Sequence, residues 1–358
     1  MEYVAVIRTL GTAGEKYQTL LNSLDQQTIQ PSKILVYIAE GYRIPKETIG
    51  KEQYIYVKKG MVSQRALPYN EVDTEFILFL DDDLFLPNDF VEKMFSFLER
   101  NNADVISPDI YPNAERSFLG KCMMALSGRM VARKDDGKWG YKVMCNSGYS
   151  YNNHPKSEVY WSQTNAGACF LCRKEDFLKI HFEDELWIDS LQYAQGEDQV
   201  MFYKMYLLGL KQLTWFDSGI KHLDAGTSMI SEEKEKMLIF SDFYFKTIFW
   251  HRFIFSPEKS LLKRLCGVMY ISYTFLFSLI ISLIKMRWDI FRIKCKSIIS
   301  GITFISFPSC SSHIPSLFAS FIPSGRFSSI VAVPAISPVF LTFILYSTCT
   351  LVSSVFFL

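Results

Sequence analysis

Short apolar runs alternate with helical spacing from the first residues of the chain onward. Tyr3-Val4-Ala5-Val6-Ile7-Arg8 reads as a strand covered on both faces, with Gly11-Thr12-Ala13-Gly14 as the turn after it. Tyr17, Leu20, Leu21 and Leu24 then recur at the three- and four-residue steps of one helix face. Pro31-Ser32 interrupts the helix. Ile34 to Ile38 and Tyr54 to Val57 read as a second and a third strand. A fourth, Phe76-Ile77-Leu78-Phe79-Leu80, runs into three consecutive aspartates, Asp81-Asp82-Asp83. Pro87-Asn88 opens a helix that carries Phe90, Val91, Met94, Phe95 and Leu98. The alternation predicts an α/β fold with a mostly parallel sheet covered on both faces. The first turn lacks G-x-G-x-x-G, which argues against a dehydrogenase-type dinucleotide fold.

Beyond residue 110 the pattern changes. From about 111 to 160 it loosens into Arg129, Arg133, Lys134, Lys138, Trp139, Tyr141, Tyr149, Tyr151, Asn152 and Asn153. This is either a substrate loop with aromatic platforms for sugar rings or an ordinary surface excursion. Regular structure resumes over Asn165–Cys172. A helix follows from Gly196-Glu197-Asp198 through Val200, Tyr203, Lys204 and Leu207 to a cap at Gly209. Residues 240–255 combine many Phe with Tyr244, Trp250, Lys246, His251 and Arg252, a composition suited to a membrane interface. Leu265 to Ile284 carries no charge over 20 residues, roughly 30 Å of helix and enough to cross a bilayer. The chain therefore divides into a catalytic part (1–235), an interfacial or transmembrane helical part (236–300) and an apolar Ser- and Pro-rich tail (301–358) to which no function is assigned.

Charge and cysteine content narrow the picture. A net charge of +1 on 358 residues excludes a nucleic-acid binder that works by global electrostatics. No acidic residue follows Asp289, so the tail differs in kind from what precedes it. Of eight cysteines only Cys169 and Cys172 form a C-x-x-C, without a second pair or a His at zinc-ligand spacing. The N-terminus enters its first strand directly, which gives the expectation of no signal peptide and a reducing cytosolic setting for the catalytic part.

The chemistry concentrates at two carboxylate clusters. Asp81-Asp82-Asp83 ends a buried strand, at the sheet edge where open α/β folds hold ligands. Carboxylates two residues apart are hard oxygen ligands for Mg²⁺ or Mn²⁺, which can in turn grip a diphosphate; the alternative is an acidic solvated turn. Glu197-Asp198 lies about 115 residues further on, at a predicted helix start whose dipole favours ionised carboxylates. It offers either a proton acceptor or a helix cap. His222, in a Gly-flanked loop after a strand-like Leu213–Phe216, is either a third metal ligand or structural. Lys59 and Arg65 flank a strand-to-helix turn; Arg65 reads as a phosphate contact or as a surface ion pair.

Taken in order, the first strand, Leu24-Asp25-Gln26-Gln27-Thr28, Pro31-Ser32-Lys33-Ile34, the Gly60 to Arg65 segment, Leu80-Asp81-Asp82-Asp83, Asn165-Ala166-Gly167 and Gly196-Glu197-Asp198 resemble a family 2 glycosyltransferase of GT-A fold over residues 3–225. The resemblance implies inverting transfer of a sugar from a nucleotide-diphosphate sugar to a hydroxyl. It implies Asp81 and Asp83, with His222, on the divalent metal, and Arg8, Glu40, Arg65, Asp81 and Asp82 on the nucleotide sugar. It implies Asp198 as base, with Glu197 orienting the acceptor or serving as the alternative base. Ala39-Glu40-Gly41-Tyr42 stands where the family often has Asp-Asp-Gly-Ser. With the apolar segments, these features lead to the expectation of a membrane-associated enzyme, catalytic domain on the cytoplasmic face, acting on a lipid-linked or saccharide acceptor in surface polysaccharide or glycolipid synthesis. Two rivals are a nucleotidyltransferase with the same metal site and a non-catalytic membrane protein that binds a nucleotide sugar or carbohydrate.

Overall fold

Tyr3–Thr9 (β1) is a continuous apolar run because both of its faces are covered, with every residue from Tyr3 to Ile7 buried. The computed structural model describes residues 2–110, 117–130, 139–152, 158–191, 195–224 and 231–306. After β1 come α1 (Glu15–Asp25), β2 (Lys33–Ala39), β3 (Glu52–Val57), β4 (Phe76–Asp81), β5 (Leu84–Phe85), α2 (Phe90–Asn101), β6 (Val105–Pro108) and α3 (Phe118–Leu126). There follow β7 (Tyr141–Val143), β8 (Ser150–Asn152), β9 (Val159–Ser162), β10 (Cys169–Arg173), α4 (Lys174–Leu178), a 3-10 segment (Phe182–Ser190), α5 (Glu197–Leu207), β11 (Gln212–Trp215) and β12 (Lys221–His222). The last elements are α6 (Glu232–Phe249), a π-helical turn (Trp250–Phe255), α7 (Leu261–Ile284) and α8 (Trp288–Ser306).

Contacts divide the chain into two units. The first holds residues up to Ala125, 130–144 and 149–231. Its main sheet has the order β3-β2-β1-β4-β10-β6-β11-β9. All neighbours in it are parallel except those made by β10 and β9. The carboxyl ends of β1, β2 and β4 therefore share one edge, and the mixed α/β architecture with a mostly parallel sheet is the expected one. One face packs α1 through Leu20, Leu21 and Leu24 and α2 through Phe90, Val91 and Met94. On the other, Phe79 stacks on Phe170 (4.4 Å between centroids) and meets Phe177 of α4 at 4.6 Å, while Phe170 meets Phe202 of α5 at 5.2 Å. Each fully buried ring or branched chain here contributes on the order of 1.5–3 kcal/mol.

The second unit holds residues 126–129, 145–148 and the chain from Glu232. Phe243 of α6 lies on Phe275 of α7 (5.6 Å) and Tyr244 on Phe304 of α8 (6.0 Å). In residues 240–255, whose composition suits an interface, the structure buries Phe243, Tyr244, Phe245, Phe249 and Trp250. A buried aromatic helix and an interfacial one share a composition; only partners separate them. Helix α7 is long and apolar enough to cross a membrane, and less than half of its most apolar stretch is buried.

The loosely patterned 111–160 region contains more regular structure than its sequence suggested. It includes α3, in which no residue is buried and Phe118 and Leu119 are 84% and 71% exposed, and the β7–β8 hairpin. Arg133, Lys134, Lys138 and Asn153, and the tail from 307 onward, lie outside the described residues.

Candidate active site

Asp81 is the last residue of β4, and its register partner on β1 is Arg8. Parallel pairing thus delivers a guanidinium to the first aspartate of the triplet. Arg8 Nε donates to Asp81 Oδ1 (2.5 Å) and Nη2 to Oδ2 (3.2 Å), a bidentate pair. Arg8 Nη1 also donates to the Met61 carbonyl (3.2 Å), and both Nη groups reach Glu197 Oε1 at 3.3 Å. All five donors of Arg8 are consumed.

Arg65 arrives from the turn after β3. Its side chain is 2% exposed. Nη1 donates to Asp198 Oδ1 (3.1 Å), and Nη2 donates to the Gly167 carbonyl (2.7 Å) and stands 3.5 Å from Asp81 Oδ1. The two carboxylate clusters, far apart in sequence, meet on two arginines. Arg65 is a buried arginine that holds Asp81 and Asp198 in place. Arg8 likewise sits on carboxylates.

Asp189, which sequence reasoning passed over, and two glycines fix this arrangement. Asp189, at the end of the 3-10 segment, accepts from the Val62 N–H (2.8 Å), the Ser63 N–H (2.8 Å) and Ser63 Oγ (2.6 Å), and so caps the turn that carries Arg65. Gly60 opens that turn at φ +155°, and a Cβ there would collide with the Asp189 carboxylate. At Gly167 a Cβ would overlap Asp198 Oδ1, so the absence of a side chain makes room for Asp198. The G-D pairing of these positions leaves no mark on local periodicity, which is why the signal was invisible in the sequence.

Asp82 and Asp83 look elsewhere. Thr9, following Arg8, donates through Oγ1 to Asp82 Oδ2. His222 Nε2 stands 3.3 Å from Asp83 Oδ1, placed there by the β5–β12 ladder that sets His222 opposite Leu84. The Leu223 N–H also donates to the Asp83 carbonyl (2.8 Å). Glu40 follows β2 at the same sheet edge, exposed, with no hydrogen bond to the cluster among the described residues.

Electrostatics follow from this geometry. Burial opposes the Arg8 charge, yet Asp81 and Glu197 raise its pKa well above the usual arginine value. Burial would raise the Asp81 pKa, but Arg8 overrides it and holds the carboxylate below its ordinary range. Glu197 moves the other way: burial, then Asp198, push it up against the opposing arginines. The hydrogen bond with Asp83 raises His222. Asp82 is pushed up to about 6, first by burial and then by Asp83 and Asp81, with Thr9 opposing.

The Asp82 shift has a definite sign. Below its ordinary value of 3.8 the group is neutral in folded and unfolded chains alike. As pH rises from there to about 6 the unfolded chain ionises first, so stability falls, and above 6 the penalty is constant. Asp82→Asn, which keeps an acceptor for Thr9, is expected to raise the melting temperature at pH 8 in chelator and to leave it unchanged at pH 3.5. Thermal unfolding at the two pH values checks this, and an equal gain at both would refute the ionisation account.

The donor set tests a divalent ion unevenly. Both oxygens of Asp81 accept from Arg8. Asp83 and His222, with no guanidinium on either, form a two-ligand pair of the kind that Mg²⁺ or Mn²⁺ completes with phosphate oxygens and water. Among the described residues no group of three His, Cys, Asp or Glu stands ready to hold an ion. The fit therefore rests on Asp83 and His222, with the substrate supplying the remaining ligands.

Residues 54–180 match the model of the family described as Glycosyl transferase family 2, which bears out the resemblance read from the motifs. The matched segment runs from within β3 past Asp81–Asp83 and through β10 and α4; Arg8, Glu197, Asp198 and His222 lie outside it. A search of curated proteins finds no match to the chain.

Proposed function

We propose, with the family 2 match as premise, that this glycosyltransferase is an inverting enzyme of GT-A fold that moves a sugar from a nucleotide-diphosphate donor to an acceptor hydroxyl. One observation carries the reading: Asp81, Glu197 and Asp198 converge on Arg8 and Arg65 at the carboxyl edge of the sheet. Asp81, Glu197 and Asp198 share the two arginines, and Asp82 and Asp83 lie beside them on Thr9 and His222, so acidic groups outnumber the arginines at this edge. Asp83 and His222 are the residues that would hold a divalent ion. When bound, that ion would neutralise charge developing on the leaving diphosphate.

Asp198 is the better placed base. Its side chain is 28% exposed against 7% for Glu197. Oδ1 is held by Arg65, while Oδ2 makes no hydrogen bond among the described residues. The acceptor oxygen attacks the anomeric carbon, its proton passes to Asp198, and the bond from that carbon to the diphosphate oxygen breaks on the opposite face. One displacement inverts the configuration. Glu197, buried on Arg8, positions the two arginines.

The acceptor reading extends this proposal. The length and partial exposure of α7, and the exposed Phe118 and Leu119 of α3, support membrane association; from there we extend the proposal to a cytoplasmic active site and a lipid-linked or saccharide acceptor, in surface polysaccharide or glycolipid synthesis.

Nucleoside-diphosphate release from a panel of nucleotide sugars, with and without Mn²⁺, tests the proposal. Native protein is expected to release diphosphate from one donor in a metal-dependent way, with Asp83→Asn losing about 10²-fold or more. Pyrophosphate release from a nucleoside triphosphate supplied with a sugar 1-phosphate, without diphosphate release from any nucleotide sugar, would mean nucleotidyl transfer. Tight donor binding without release, acceptor extracts supplied, would mean a binding protein.

A further inference from the structure

Helix α7 has two unlike faces. The buried one holds Gly267, Thr274, Phe275, Ser278 and Ser282. Phe275 meets Phe243 of α6 at 5.6 Å, and a Cβ on Gly267 would stand 3.7 Å from Trp250. Lys294 of α8 donates to Ser278 Oγ and Ser282 Oγ (both 2.9 Å), and Arg129 Nη2 donates to the same Ser278 Oγ (3.4 Å). The other face is a line of Leu262, Leu265, Met269, Tyr273, Ile280 and Ile284, one helical side repeated at steps of three, four or seven residues. Each is between 44% and 72% exposed. Hydroxyls thus point inward and hydrocarbon outward, the reverse of a helix that lies between an apolar core and water. The line is roughly 33 Å long.

Charge selects what covers this line. Lys263 and Arg264 stand at one end, with Glu258 3.8 Å from Lys263. At the other end Arg287 pairs with Glu235 and Asp289, while the exposed Lys285, Arg292 and Lys296 make no ion pair among the described residues. Between Arg264 and Lys285 the sequence carries no charge. A second copy laid on the line, in either direction, would set cations against cations. The chain beyond Ser306 contains no Asp or Glu, so it brings nothing to match them. An anionic lipid surface supplies both hydrocarbon for the line and negative headgroups for its ends.

The neighbours of α7 decide how it meets that surface. Ser278 lies six residues before Ile284, about 9 Å from the helix end and inside a hydrocarbon core of roughly 30 Å if α7 crossed. Crossing would carry Lys294 and Arg129 to that depth on the buried face. Helix α8 doubles back along α7, so the exposed Lys296 would go with them into the acyl chains, an expensive place for an ammonium. A flat orientation buries the apolar line and leaves these cations outside the hydrocarbon. We propose that α7 lies in the plane of one anionic leaflet, with the Leu262-to-Ile284 line sunk among the acyl chains and the basic residues of both ends at the headgroups, and does not cross the bilayer. This rests on the membrane association proposed above and is independent of the transfer chemistry.

An impermeant amine reagent, applied to the full-length chain in sealed membrane vesicles of each orientation from expressing cells, tests it. Lys263 and Lys285, both exposed, are expected to be modified together in one orientation and neither in the other, as read by mass spectrometry. Modification of one lysine in each orientation would mean a crossing helix, and would overturn this inference while the membrane association stands. Flotation of the purified chain with phosphatidylcholine vesicles, with and without phosphatidylglycerol, is the second test. Binding should be about tenfold stronger to the anionic vesicles and should fall as salt is added. Met269→Glu combined with Ile280→Glu should weaken it about tenfold or more and leave the melting temperature unchanged, because both side chains are exposed. Equal binding to both kinds of vesicle, undiminished binding by that variant, or self-association through the line in place of vesicle binding would overturn the inference. A chain found neither with added vesicles nor in the membranes of expressing cells would sink the membrane association as well.

Discussion

Asp198→Ala is expected to lower sugar transfer about 10²- to 10⁴-fold while donor affinity stays within a few-fold of native, the range associated with removing a general base. Folding should survive the change. Three carboxylates (Asp81, Glu197, Asp198) share two arginines, and Arg65 keeps Asp81 at 3.5 Å and the Gly167 carbonyl at 2.7 Å when Asp198 is gone. The loss then appears in kcat and not in KM for the donor, because the proton acceptor works only as the acceptor oxygen attacks. Glu197→Gln is the informative companion. Its buried carboxylate is already pushed toward the neutral form, first by burial and then by Asp198, so an amide of the same shape keeps contact with Arg8. Its effect on kcat should be smaller than that of Asp198→Ala. Steady-state kinetics on both variants decide the matter: a mild Asp198→Ala beside an inactive Glu197→Gln would exchange the two roles.

The strands that bring these residues together were legible where burial leaves a period. Leu20, Leu21 and Leu24 of α1 and the Phe90 to Leu98 series of α2 all fall on buried faces, and β4 ends at Asp81 as the apolar run predicts. Strand direction was not legible. Regular structure is expected over Asn165–Cys172, but the apolar pattern there does not say that β10 inserts antiparallel between β4 and β6. The same limit applied to the site. Carboxylates were found because charge at the end of an apolar run is locally conspicuous. The fate of Arg8 was not, since whether an arginine at a strand end meets phosphate or carboxylate depends on a residue about 190 positions away. Asp189 was hidden for a related reason: its task is to satisfy Val62 and Ser63 amides that a linear reading cannot place beside it.

Arg8 carries the largest expected effect on stability. Arg8→Met would leave Asp81 and Glu197 without a bidentate partner inside the fold, and stripping one member from a buried charge network costs about 3–5 kcal/mol. Against a total stability of roughly 5–15 kcal/mol, that puts the variant near the edge of folding. The deficit should depend on pH in a particular direction. In the native chain Arg8 holds the Asp81 pKa down, which contributes stability above the ordinary carboxylate range that is lost as pH falls through the lowered value. Without Arg8 the folded values of both carboxylates rise, so each destabilises the variant increasingly as pH climbs. Arg8→Met should therefore be worst at pH 8 and partly recover at pH 5. Arg8→Lys should not rescue it, because one ammonium cannot supply the fork to Asp81 together with the bonds to Glu197 and the Met61 carbonyl. The double change Arg8→Met with Asp81→Leu removes the unmatched charge along with its partner and should regain about half or more of the loss. Denaturant unfolding of the four proteins at pH 5 and 8 checks each statement. A single variant as stable as native at pH 8 would show that the two guanidinium groups are redundant, with Arg65 alone sufficient to hold the carboxylates together.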